Sequence, residues 1–203
     1  MVNEELRREL VAMRSEDLRV RQELMDSGEL GGPYVPRMEA VHRRNADRMR
    51  ELIASFGWPG EDVAGQDGAE AAWFIAQHAI GEPEFQRSSL ALLRTCASEG
   101  RTPAWHAAYL EDRIAMQEGR PQRYGTQWVD DPFDGRIRPW QLADPEHVND
   151  LRANVGLKPL AQIPEKGPEL SAAERHAIER DRDWWEQWLA TKGWRTSSNA
   201  KPD

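Results

Sequence analysis

Apolar residues recur at helical spacing in five successive stretches between Asn3 and Glu118, and glycine or proline closes each one. Such a pattern leaves a chain few folds other than packed helices. Residues 3–27 carry Leu6, Leu10, Met13, Leu18, Val20 and Leu24 among many charges. Asp26-Ser27-Gly28 and Gly31-Gly32-Pro33 break this first helix. Residues 36–56 form a second, with Met38, Val41, Met49, Leu52 and Ile53 inward, ended by Gly57-Trp58-Pro59-Gly60. A third spans 67–80, with Trp73, Phe74 and Ile75. A fourth spans 84–98 after Pro83, with Phe85, Leu90, Leu92 and Leu93 inward. Thr102-Pro103 starts a fifth, which runs to about Glu118.

The pattern then changes. Residues 122–129 and 136–142 are short runs separated by Asp130-Asp131-Pro132-Phe133-Asp134-Gly135, which reads as a small hairpin. A further helix spans 145–155, with Asp144 as its cap. Residues 157–169 hold Pro159, Pro164, Gly167 and Pro168 and read as an extended connector. Ser171 and Glu174 form the capping box of a last helix bearing Trp184, Trp185, Trp188 and Leu189. Residues 195–203 read as a disordered tail. The expectation is a mainly α protein. Residues 1–162 make a helical domain with a hairpin around 122–142, and residues 163–203 add the connector, the Trp-rich helix and the tail.

Composition excludes some functions. The chain has 203 residues, enough for a sizeable core. Its net charge of −8 argues against general binding to nucleic acid, which needs clustered positive charge. A mean hydropathy of −0.79 and the lack of a long apolar run argue against a membrane span. The acidic start shows no secretory signal pattern. The single cysteine, Cys96, allows no intrachain disulfide, so a cytoplasmic setting is expected. Cys96 sits in the apolar pattern of residues 90–96 and reads as a small buried hydrophobe.

Polar groups inside apolar helical patterns are the candidates for chemistry, because burying them without partners costs free energy. His78 titrates near neutrality and can act as general acid or base; a core histidine satisfied by a carbonyl is the structural alternative. Asp112 and Arg113 are consecutive and point in different directions, and a structural ion pair is the alternative for each. The Tyr124 hydroxyl can donate to a developing anion; packing of the hairpin is the alternative. His78, Asp112, Arg113 and Tyr124 are thus the candidate catalytic set. Gln77, Gln86, Gln122 and Gln127 are the candidate substrate-binding amides. Strand alternation would place Tyr124 and Thr126 on one face of the hairpin, with Gly125 and Gln127 on the other.

The histidines at 42, 78, 106, 147 and 176 show no linear metal-ligand motif, so neither metal nor cofactor is expected. No phosphate-binding glycine loop and no Gly-x-Ser-x-Gly elbow are present. Trp58, Trp73 and Trp105 are expected in the core. Trp184, Trp185 and Trp188 either dock their helix or form an aromatic patch for self-association.

Several blocks carry a resemblance. They are Gly57-Trp58-Pro59, Gln77-His78-Ala79, Phe85-Gln86, Leu110-Glu111-Asp112-Arg113, the run from Gln122 to Gln127, and Val155-Gly156-Leu157. In order and spacing the chain resembles, over residues 5–162, an uncharacterised bacterial family often seen in actinobacteria. The resemblance implies that His78, Asp112, Arg113, Tyr124 and Gln127 match signature positions, and it implies no activity. Three readings stay open. One is a cofactor-independent enzyme using His78 in acid–base chemistry, such as a tailoring enzyme for a small molecule or peptide. The second is a ligand- or peptide-binding module. The third is a structural or interaction protein whose polar cluster fixes the helix arrangement. On the enzyme reading, His78 and Tyr124 should share a pocket with Asp112 or Arg113.

Overall fold

The computed structural model describes residues 1–29, 34–130, 136–161 and 170–195. Seven helices and one two-stranded sheet are found among them. They are α1 (Glu4–Asp26), α2 (Pro36–Phe56), α3 (Glu61–His78), α4 (Pro83–Ser98), α5 (Ala104–Gln117), β1 (Trp128–Asp130), β2 (Ile137–Pro139), α6 (Val148–Asn154) and α7 (Ala172–Thr191). The mainly α architecture is as expected. The hairpin loop (131–135), most of the connector and the C-terminal tail lie outside the described residues. The chain divides into two compact units, Met1–Leu110 and Glu111–Asp203.

In the first unit, Asn3 caps α1, its Oδ1 accepting from the amides of Glu5 and Leu6 at 3.2 and 3.1 Å. The buried stripe of α1 is Leu6, Leu10, Asp17, Val20 and Leu24. Leu18, expected inward, is 43% exposed, and its neighbour Asp17 takes the inward position. Leu10, Asp17 and Leu24 are seven residues apart, close to two helical turns, so they share one face. The α2 stripe is Met38, Val41, His42, Asn45, Ala46, Met49 and Leu52. It too carries polar groups inward.

Helix α3 begins six residues before the expected start. A first turn from Glu61 is interrupted at Gly65, whose φ of 67° and ψ of 170° only glycine adopts readily. The expected span therefore corresponds to the part after this break. Small residues then let α3 lie close to α1: a Cβ added at Gly68 would stand 3.4 Å from the Cα of Arg7. Arg7 donates to both oxygens of Asp67, at 2.6 and 2.8 Å, across the same pair of helices. Trp58 is buried, whereas Trp73 and Trp105 are half-buried.

In the second unit, β1 and β2 pair antiparallel, with Val129 opposite Arg138. Residues 122–127 do not continue the ladder. The amides of Arg123, Tyr124 and Thr126 turn inward onto a side-chain carboxylate, described below, and this replaces the alternating faces expected of a strand. Gly125 makes that turn possible, with φ at 66°. A Cβ there would meet the Cδ1 of Leu160 at 2.9 Å. Gly125→Ala should therefore lower stability by about 1–3 kcal/mol, from left-handed strain plus crowding. A urea midpoint equal to wild type would contradict this. Ser171 and Glu174 form the expected capping box on α7. Trp188 and Leu189 are buried, and Trp185 stacks on Trp188 with ring centroids 4.9 Å apart.

Candidate functional site

Three polar side chains meet where α1, α2 and the end of α3 come together. Asp17 lies at the middle, with 0% of its surface exposed. Its Oδ1 accepts from His78 Nδ1 at 3.0 Å. Its Oδ2 lies 3.1 Å from His42 Nε2. The two imidazole rings stand 5.2 Å apart at 61°. A short hydrogen bond joins the Tyr34 hydroxyl to His42 Nδ1, the ring nitrogen on the far side from Asp17. Tyr34 and Val35 pack on the apolar cluster of Val20, Leu24, Met38 and Val41, which holds these helices beside the polar centre.

The helices fix these groups firmly. His78 ends α3, where carbonyls lack helical partners. Gln86 on α4 supplies them: its Nε2 donates to the carbonyls of Ala76 and Gln77 at 2.7 and 3.1 Å. Phe74, one turn earlier, lies against the His78 ring at 3.9 Å between centroids. The His78 side chain stays 23% exposed, whereas that of Asp17 is 1% exposed. The site therefore has a buried carboxylate behind an imidazole that reaches solvent.

Burial by itself would push the Asp17 carboxyl upward. Hydrogen bonds and charge from His42 and His78 outweigh it and hold Asp17 at about 2, so the group is an anion at neutral pH. Burial, followed by the negative charges of Glu39, Asp17 and Glu82, raises the Tyr34 phenol well above its ordinary value, so it keeps its proton.

The expected catalytic residues fall in both units. His78 and Gln77 belong to the first, as does Gln86, whose amide is occupied with α3. Asp112, Arg113, Tyr124, Gln122 and Gln127 belong to the second. There Asp112 accepts from the amides of Arg123 (2.8 Å), Tyr124 (3.0 Å) and Thr126 (2.9 Å), and from the Thr126 hydroxyl at 3.0 Å. Burial raises its pKa while these hydrogen bonds lower it. Gln122 donates to the carbonyls of Gln127 and Trp140 and accepts from the Gln127 amide. Gln127 in turn donates to Thr126 Oγ1. Arg152 donates to the Tyr124 carbonyl at 2.6 Å. Tyr124 is buried. Burial lowers the Arg113 guanidinium to about 10.

Asp17, His42 and Tyr34 were absent from the expected set. For Asp17, a signal was present in its seven-residue spacing from Leu10 and Leu24. For His42, it was the position one turn after Met38 and seven residues before Met49. Tyr34 lies outside the helices, just before α2, and carried no such signal. The linear search for metal ligands also had no access to this cluster, for a physical reason. It looks for ligands on one helix, and here one candidate ligand atom from each of Asp17, His42 and His78 lies within 4.8 Å of the others, from three helices.

Cys96 is buried, and burial raises its thiol pKa, which suits a packing role. No helix among the described residues is long and apolar enough to cross a membrane. No curated protein and no solved structure matches the chain. Residues 4–165 match a family of unknown function, DUF6624, and the chain belongs to that family.

Proposed function

We propose that the chain is an enzyme that moves a proton at the Asp17–His78 pair during reaction of a small molecule or peptide. One observation carries this reading: a fully buried carboxylate accepts the Nδ1–H of an imidazole whose side chain reaches solvent. Donation from Nδ1 places the basic lone pair of neutral His78 on Nε2. When Nε2 takes a proton, the new positive charge lies beside a fixed anion, in the base-and-orienter arrangement of nucleophilic and acid–base enzymes. His42 and Tyr34 support Asp17 from behind. The resemblance supports a bacterial source, and the single buried thiol supports a reducing, cytoplasmic one.

The test is a screen of the purified chain against ester, amide, lactone and phosphoester reporter substrates, followed by variants on any substrate turned over. His78→Gln should lose about 10²–10⁴ in rate, the usual worth of an acid–base group. Circular dichroism should match wild type. A folded His78→Gln protein with wild-type turnover removes the catalytic role. Absence of turnover across the panel favours a binding module instead.

A further inference from the structure

We propose that Asp17, His42 and His78 together bind one first-row divalent transition-metal cation. The inference rests on the reading of these residues as the functional centre, and it changes the means by which that centre works.

Geometry comes first. Zinc and its neighbours hold nitrogen and oxygen ligands at about 2.0–2.2 Å, which puts neighbouring ligand atoms roughly 2.8–3.1 Å apart in octahedral and 3.3–3.6 Å apart in tetrahedral coordination. Asp17 Oδ2 and His42 Nε2 stand 3.1 Å apart. Asp17 Oδ1 and His78 Nδ1 stand 3.0 Å apart. Ligand atoms of all three residues fall within a 4.8 Å sphere of mutual reach.

The second observation points to a ligand independently. Asp17 Oδ2 and His42 Nε2 are both buried, and the one close polar contact of each is their 3.1 Å approach to the other, which lacks the alignment of a full hydrogen bond. Leaving a buried anionic oxygen and a ring nitrogen poorly aligned costs stability. A cation beside the two satisfies both with one bond apiece.

The surroundings agree. A metal-bound imidazole characteristically uses its other ring nitrogen as a donor to a fixed acceptor, which sets the tautomer. The Tyr34 hydroxyl oxygen stands at His42 Nδ1 and can accept that hydrogen. Two imidazoles and one carboxylate suit zinc, iron(II), cobalt and manganese. Magnesium and calcium prefer all-oxygen sets, so the donor set disfavours them. Three protein ligands leave coordination positions for water or substrate. A water held there would ionise near neutrality, so proton transfer would begin from that water and not from His78.

The test uses the full chain stripped with a chelator. Zinc, cobalt(II) and magnesium are titrated separately by calorimetry, and retained metal is counted by elemental analysis after gel filtration. The expected result is one equivalent of zinc or cobalt, weak magnesium binding and a raised melting temperature. Cobalt loading should produce visible ligand-field absorption bands. His42→Gln, His78→Gln and Asp17→Asn should each weaken zinc by more than about 100-fold, and Tyr34→Phe by about 10-fold. His176→Ala, on an exposed histidine of α7, should leave affinity unchanged. Wild-type circular dichroism in the Gln and Asn variants keeps the comparison to folded proteins.

Three results overturn the proposal. One is no stoichiometric zinc or cobalt at millimolar supply. Another is stoichiometric binding that His42→Gln and His78→Gln leave intact. Full turnover by stripped protein that binds no cation also overturns it, while the acid–base reading survives. Stoichiometric binding lost in the variants, with no turnover in the substrate panel, supports the cation site and sinks the acid–base reading.

Discussion

Replacing Asp112 by alanine should cost about 3–5 kcal/mol of stability, the range seen when one partner of a buried charged network is removed. The carboxylate is fully buried and takes four donors from the loop at residues 123–126. Without it, the buried amide of Tyr124 has lost its acceptor, and each such orphan costs about 1–3 kcal/mol. Gln122 and Gln127 are linked to the same loop, so the loss should spread into the start of the hairpin. Asp112→Asn keeps one acceptor oxygen and should cost less. Urea unfolding monitored by tryptophan fluorescence measures both. Wild-type midpoints for the two variants would remove the structural account of Asp112 and favour the catalytic role expected from the sequence.

Acid should destabilise the fold through His106 as the pH falls from 6.5 towards 4. This histidine is 2% exposed, and burial lowers it from 6.5 to about 4. Its Nδ1 contacts the Thr102 hydroxyl at 2.8 Å, and its ring stacks on Trp73 with planes 8° apart. Its Nε2 is buried without a hydrogen-bond partner, so nothing stabilises a second proton. The sign follows from proton counting. Between about pH 4 and 6.5 the unfolded chain holds a proton on this residue and the folded chain does not. Stability is then full above pH 6.5, declines by about 1.4 kcal/mol per pH unit below it and levels off near pH 4, a total on the order of 3–4 kcal/mol. Carboxylates also titrate in this window, so the measurement is a difference. Thermal or urea stability is compared for wild type and His106→Leu at each pH. The variant should show a flatter profile, and parallel profiles would exclude His106 as the source.

The helices were legible because each depends on local chemistry. Asn3 accepts the first amides of α1, Pro36 and Pro83 start α2 and α4 without needing an amide hydrogen, and Ser171 with Glu174 caps α7. Helical periodicity supplied most of their buried faces. It erred at Leu18, because a hydropathy pattern cannot see that a carboxylate will find partners inside. Asp17 is inward because His42 and His78 are there to meet it. Residues 122–127 misled in a related way. Their aromatic and β-branched character suits a strand, yet a buried carboxylate eleven residues earlier captures their amides first.

By itself, then, the sequence determined the helical class, the small hairpin and the capping box of α7, and it singled out His78 as a candidate for chemistry. Those features follow from neighbours a few positions apart, where backbone geometry fixes which side chains meet. Only the tertiary structure decided that Asp17 and His42 join His78, since 25 and 36 residues separate the three in turn. It also set the pairing of Asp112 with the loop at residues 123–126. Distances of that kind depend on how whole helices pack, and packing is settled by the summed burial of many side chains rather than by any one spacing.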